Sequence, residues 1–355
     1  MLIGKHYIEN PIVQGGMGVG VSWDQLAGHV SLYGGLGTIS TVGTGYYKYP
    51  KYMIHSKGER PNVLDCNSKE ALFEIFQNAR KICGDKPLAV NIMHALTGYS
   101  QSVIDSCEAG ADIIICGAGL PLDLPNLTKD FPDVALIPIV SSIKATQIIF
   151  KRWERYGRLP DAVIVEGPKS GGHQGFKLED CSKEEFQLEN IIPDIIEFCS
   201  RFNIPVIAAG GIWDKNDIDW YLNLGCTAVQ MGTRFVATHE CDTSNIHKQI
   251  LLNCTSDDIS LKGSPVGLPS RSITTKLHEM IQKETAPKIK CISNCVKPCE
   301  HGKGAKKVGY CIADRLGDTI LGKYDTGLFF TGTNGFRVNE IISVKDLIDK
   351  LINGE

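Results

Sequence analysis

The chain has 355 residues, 43% hydrophobic and 22% charged, with 37 Lys and Arg against 40 Asp and Glu for a formal net charge of −3. That balance excludes a disordered chain and leaves no cationic excess with which to grip nucleic acid. No run approaches the ~18 apolar residues of a membrane helix, and Met1 to His6 lacks the regions of a secretory signal, so a cytoplasmic protein without a nucleic-acid or membrane partner is expected.

In chain order, β-branched or apolar runs fall at Pro11–Gln14, Leu36–Ser40, Leu88–Ile92, Asp112–Cys116, Ala135–Val140, Ala162–Glu166, Ile204–Ala209 and Thr227–Met231. Segments of helical period separate them. Ser22-Trp23-Asp24-Gln25 reads as a capping box, Ser68 precedes Lys69-Glu70-Ala71-Leu72, and Asp214 opens the stretch to Leu224. The runs are continuously apolar rather than alternating, as a parallel sheet covered by helices on its faces requires. Eight such units within about 240 residues predict a TIM (β/α)8 barrel. A doubly wound sheet would carry G-x-G-x-x-G, which Gly15-Gly16-Met17-Gly18-Val19-Gly20 does not match. The alternation stops after about Cys241, so the chain divides into a barrel over 1–240 and a C-terminal appendage over 241–355, ending in a capped helix at Ser343–Ile352 that packs on the barrel.

Thirteen cysteines in a reducing compartment point to core thiols, reactive thiols or metal ligands rather than disulfides. Nine are scattered between Cys66 and Cys254, in contexts such as Ile113-Ile114-Ile115-Cys116 where the thiol acts as a small hydrophobe. Cys291, Cys295, Cys299 and Cys311 are bunched, with three, three and eleven residues between them. Four thiolates at that spacing read as a metal site, iron-sulfur ahead of zinc, because the two-residue knuckles of structural zinc are missing.

Barrel active sites form at the C-terminal ends of the strands, with phosphate held by the loops after the seventh and eighth. Both loops carry glycine here, in Ala208-Ala209-Gly210-Gly211-Ile212 and Gln230-Met231-Gly232-Thr233-Arg234, which predicts a phosphate-bearing ligand. The sixth run ends in Glu166-Gly167-Pro168-Lys169-Ser170-Gly171-Gly172-His173-Gln174-Gly175. Glycines on both sides leave His173 little apolar packing, so it reads as an exposed general base titrating near neutrality. His94, after the third run, is its rival. Leu328-Phe329-Phe330 fits either the lining of an acyl tunnel or packing between appendage and barrel, with packing as the default, and Trp153, Trp213 and Trp220 read as core or helix-face residues.

These motifs, with Gln14-Gly15-Gly16-Met17-Gly18 and Asn91-Ile92-Met93, resemble the FMN-dependent superfamily of nitronate monooxygenases and type II enoyl-acyl-carrier-protein reductases over about residues 1–240. The resemblance implies that Gly16, Met17, Asn91 and Glu166 surround the FMN ring and ribityl chain. It places the phosphate on Gly210, Gly211, Gly232 and Thr233. Gly15, Gly171, Gly172 and Gln230 also contact the cofactor on this reading, and His173 faces the substrate. Lys169-Ser170 stands where many members carry Glu-Ala.

With the four-cysteine segment, and with Val308–Asp314 and Gly327–Gly332, the whole chain resembles the bacterial acyl-carrier-protein dehydrogenase/isomerase of unsaturated fatty-acid synthesis, a branch that carries a 4Fe-4S cluster. That resemblance implies oxidation of a medium-chain acyl thioester at Cα–Cβ, isomerisation to a cis-3 alkene, and an acyl carrier protein as partner. A homodimer is among the compatible assemblies. A nitronate monooxygenase and a flavin and iron-sulfur redox sensor are the other functions compatible with these residues.

Overall fold

The structure, a computed structural model, describes residues 1–44, 68–289, 291 and 294–354; Cys66 lies outside them. Eight parallel strands run in the predicted order: β1 (Ile12–Gln14), β2 (Gly37–Ser40), β3 (Leu88–Met93), β4 (Ile113–Gly117), β5 (Ala135–Val140), β6 (Val163–Glu166), β7 (Val206–Ala209) and β8 (Ala228–Met231). Each pairs with its sequence neighbour, β8 pairs with β1, and a parallel bridge from Val13 to Leu36 closes the barrel.

Alternation along the strands divides the core in two. Ile113 and Ile115 of β4 point into the barrel with Val13, Ile137, Ile164 and Ile207, while Ile114 and Cys116 face the helices outside. A hairpin pairing Leu2–Ile3 with His6–Tyr7 adds Ile3 and Ile8 to the inner cluster, so the barrel interior is packed with side chains.

Helix starts follow the sequence unevenly. Asp214 caps Lys215–Asn223 by accepting from the Asn216 and Asp217 amides at 3.1 and 3.2 Å, and Ser343 caps Val344–Asn353 through Asp346 N at 3.0 Å. The capping box at Ser22 does not form. Ser22 Oγ accepts from Met17 N, and the helix Asp24–Leu32 is capped from a distance by Asp242, whose carboxylate accepts from Trp23 N and Leu26 N at 2.8 and 3.1 Å.

Residues after 240 return to the barrel twice. Ile259–Gly263 and Pro269–Ile273 form an antiparallel pair, and Pro269–Ile273 also pairs with Gly172–His173, so this sheet lies against the loop that follows β6. The last helix, Val344–Asn353, buries Val344, Leu347, Ile348 and Leu351 at helical spacing. It packs on both Asp24–Leu32 and Lys215–Asn223, the place left open because β8 is followed only by the four-residue helix Thr233–Val236.

Candidate active site

A cavity of about 540 Å3 occupies the C-terminal mouth of the barrel. Ser40, Asn91, Val140, Glu166, Ala209 and Met231 reach its wall from the strand ends, as the fold dictates. Every predicted cofactor residue lines it: Gly15, Gly16, Met17, Asn91, Glu166, Gly171, Gly172, Gly210, Gly211, Gln230, Gly232 and Thr233. His173 lines the same space, and His94 is absent from the wall, its ring edge-on to Tyr99 instead.

At two positions of the mouth the backbone leaves no room for a side chain. A Cβ at Gly16 would stand 2.2 Å from Asn91 Cβ, and one at Gly210 would stand 2.8 Å from the Gly167 carbonyl. Gly210 and Gly211 have φ of +102° and +85°, a region that side chains oppose. Among the described residues, the buried Oε1 of Gln230 has no hydrogen-bond partner and could accept from a ligand donor. A glycine cradle at the β7 and β8 loops, an unpaired amide oxygen and an open cavity together fit a flat cofactor with a phosphate tail.

His173 departs from the expected exposed loop histidine. It lies on the short strand Gly172–His173, half-buried, with Nε2 2.8 Å from Ser264 Oγ and its ring edge against Phe330 at 5.4 Å between centroids. Burial lowers its pKa to about 4 instead of leaving it near neutrality, so the ring is neutral and able to accept a proton at pH 7. Glu166, at the end of β6, is pushed the other way: burial raises it to about 7, with the nearby Ser170 hydroxyl opposing the shift.

The loop between these two residues is held from outside the barrel. Arg271, 8% exposed on Pro269–Ile273, donates from Nη1 to the carbonyls of Pro168 and Ser170. Gln174 Nε2 donates to the Ser170 and Gly172 carbonyls at 2.9 and 3.0 Å. The departure Lys169-Ser170 is accommodated, since Lys169 Nζ pairs with Glu189 at 2.8 Å and Ser170 Oγ donates to Gln174 Oε1 at 3.2 Å. Over the phosphate loops, Gly332 N donates to Thr233 Oγ1 at 2.9 Å and Asn334 Nδ2 to the Gly211 carbonyl at 2.6 Å.

Sequence reasoning missed Ser264, Arg271 and Asn334. Lys262 to Pro269 carries no periodicity and reads as an irregular crossing, and partners close to a hundred residues away leave no local signal. For Leu328 and Phe330 the lining alternative replaces the packing default, and Trp213 gains a place on the cavity wall. Leu328 and Phe330 line the cavity while Phe329 between them turns into the core, as alternation in extended chain demands, and Trp213 also lines the cavity, with Arg234 and Arg337 stacked on its ring.

The C-terminal segment adds an apolar part to the wall of this cavity, from Val266, Leu268, Val296, Ile312, Leu316 and Leu328. Cys295 lines it too. Its thiol is pushed up to about 12, chiefly by burial and further by Cys311, Cys291 and Cys299. Among the described residues, no three His, Cys, Asp or Glu side chains are gathered into a group that could hold a metal. The donor set suits an iron-sulfur cluster in chemistry but is not drawn into a ligand shell. No helix among the described residues is long and apolar enough to cross a membrane.

Comparison with known proteins agrees with this geometry. A family model described as nitronate monooxygenase matches residues 1–354. A probable nitronate monooxygenase of Bacillus subtilis (strain 168) is 26% identical over 313 residues, covering 80% of this chain and 82% of the relative. FabK from Thermotoga maritima superposes with a TM-score of 0.72 at 27% identity over 98% of this chain and 92% of its own, and nitroalkane oxidase from Streptomyces ansochromogenes shares the fold with 0.69 at 20% over 98% and 96%. With a family match over nearly its whole length and a site that fits FMN, the chain belongs to the nitronate monooxygenase family and is an FMN-dependent oxidoreductase.

Proposed function

We propose that this protein oxidises medium-chain acyl thioesters presented by an acyl carrier protein, removing hydrogen across Cα–Cβ and shifting the double bond to the cis-3 position. The observation that carries the reading is the apolar wall that shares the cavity with His173: Val266, Val296, Leu316 and Leu328 offer an alkyl chain more surface than a small nitroalkane could cover. FMN, when bound, supplies the hydride acceptor. His173 then takes the α-proton, and in the isomerisation the same ring removes a proton from C4 and returns one to C2. Neutral at pH 7, it needs no prior deprotonation. Gly16 and Asn91 shape the flavin side of the cavity, and the glycines of the β7 and β8 loops receive the phosphate.

The finer cofactor assignment is a 4Fe-4S cluster on Cys291, Cys295, Cys299 and Cys311, with zinc as the competing metal. Its support is the bunching of these four thiols within 21 residues of the chain and the electrostatic influence of the other three on Cys295. No step above runs through it.

Nitronate oxidation is the second reading, favoured by the family match over residues 1–354 and equally served by α-proton removal at His173. Anaerobic single turnover separates the two. A medium-chain acyl carrier protein should bleach the flavin and yield a cis-3-enoyl product. Bleaching by nitronates with none by acyl thioesters would overturn the proposal.

A further inference from the structure

The cavity wall holds a second histidine that the chemistry above does not use. His247, on the helix Asn245–Asn253, lines the same space as His173 and is 3% exposed. The two rings meet neighbouring residues of one segment: the Phe330 ring stands 5.4 Å from that of His173, and the Phe329 ring 5.3 Å from that of His247. Ser264 engages His173 through Nε2, whereas the Nε2 of His247 is buried and, among the described residues, has no hydrogen-bond partner. Buried polar groups are as a rule paired, and this one belongs to a ring on the wall of the space a ligand would enter.

The other ring nitrogen fixes what Nε2 can do. Thr243 Oγ1 lies 2.8 Å from Nδ1, and Nδ1 is the one partner of that hydroxyl among the described residues. Thr243 is itself buried, so its O–H is satisfied by donating to Nδ1, and the hydrogen of the neutral ring then sits on Nε2. Burial and the Lys248 charge keep the ring neutral at pH 7, against the opposing influence of the Phe330 carbonyl.

The acceptor this N–H suits is uncharged. Lys248 turns its ammonium to the His239 carbonyl at 3.0 Å, and no Lys or Arg among the described residues is on the cavity wall. One neutral donor in a largely apolar wall does not offset the desolvation of an anion, but it matches a carbonyl oxygen.

We propose that His247 Nε2–H binds the thioester carbonyl oxygen of the acyl substrate. The proposal rests on the acyl thioester reading and deepens it. As His173 takes the α-proton, the electron pair left on Cα is shared with the carbonyl, whose oxygen gains negative charge; in the isomerisation, loss of the C4 proton loads the same oxygen. A donor fixed at that oxygen stabilises both, and it holds the Cα–H bond in one place. The His247 proton stays on Nε2 throughout, and no bond to the ring forms or breaks.

The test compares two probes in FMN-loaded protein whose flavin has been reduced, so that neither is oxidised: octanoyl-pantetheine, and S-octyl-pantetheine, in which a methylene replaces the carbonyl. Calorimetry should show the parent binding the thioester roughly three- to tenfold more tightly than the thioether, the range of one hydrogen bond. His247→Leu should erase that preference by weakening the thioester alone, and His247→Gln, which keeps an N–H, should retain part of it. A parent without the preference, or a preference that survives in His247→Leu, overturns the proposal. A second measurement needs only the parent fold: in 15N-histidine-labelled protein the Nε2–H signal of His247, identified by its loss in His247→Gln, should move downfield with the thioester and not with the thioether. An unmoved signal overturns the assignment. The thioester bound with this preference but left unoxidised when the flavin is oxidised would overturn the dehydrogenase reading and leave His247 as the carbonyl donor; oxidation without the preference would overturn His247 alone, and no binding of either probe would overturn both.

Discussion

Ser264 Oγ lies 2.8 Å from His173 Nε2, so the ring at the cavity wall is oriented by a residue 91 positions further along the chain. With Nε2 engaged, Nδ1 is the nitrogen free to accept a proton from a ligand, and among the described residues it has no protein partner. The C-terminal segment therefore shapes the chemistry as well as the cavity.

Replacing His173 by Ala should leave FMN bound and lower turnover by roughly a hundredfold or more, the contribution of a positioned general base. Flavin absorbance and single-turnover rates check this. Loss of flavin would reassign His173 to a structural role, and near-normal rates would exclude it as the base.

Gly211→Leu should abolish FMN binding. The side chain would begin 2.8 Å from Lys169 Cβ at a φ of +85°, on the wall of the predicted phosphate cradle. A yellow variant that holds FMN as tightly as the parent would remove the β7 loop from the binding site.

Arg271→Met should cost roughly 2–4 kcal/mol in urea unfolding, because two carbonyls, of Pro168 and Ser170, lose a charged donor in a buried setting. Turnover should fall further than stability alone explains, since the same carbonyls fix the loop carrying His173. A variant with parental stability would show that water takes over both bonds.

Acid lability should come from three histidines, two buried and one half-buried. Burial lowers His173, His247 and His278 to about 4 each, with Lys248 adding to the shift at His247 and Lys262 at His278. In the unfolded chain each titrates near 6.5, so between pH 6.5 and 4 the unfolded state binds protons that the folded state refuses. Their stabilising contribution is complete above about pH 6.5 and is lost as pH falls toward 4. The melting temperature should drop by roughly 5 °C or more over that window, and replacing His247 and His278 with Gln should flatten the profile.

Cys311→Ser should lower bound iron and sulfide in anaerobically prepared protein, while the barrel, with its own core, keeps FMN. Zinc without sulfide in the parent would make the segment a structural clip. No metal at all would leave the four thiols as a packing feature and weaken the acyl thioester reading.

Composition and periodicity by themselves determined the barrel. All eight strands lie where continuous apolar runs placed them, because a strand buried on both faces writes its position locally in β-branched residues. The cofactor side of the site was equally legible, since close backbone approach at Gly16, Gly210 and Gly211 demands glycine whatever the distant chain does. Tertiary structure decided the rest. Asp242 supplies the helix cap that the sequence places on Ser22, Arg271 and Ser264 fix the His173 loop, and Leu328 with Phe330 lines the cavity while Phe329 does not. Each of these depends on a partner brought near only when the segment after residue 240 folds back over the barrel mouth. A titration value is of the same kind: the residues flanking His173 suggested an exposed imidazole near neutrality, and only burial against Ser264 and Phe330 carried it to about 4.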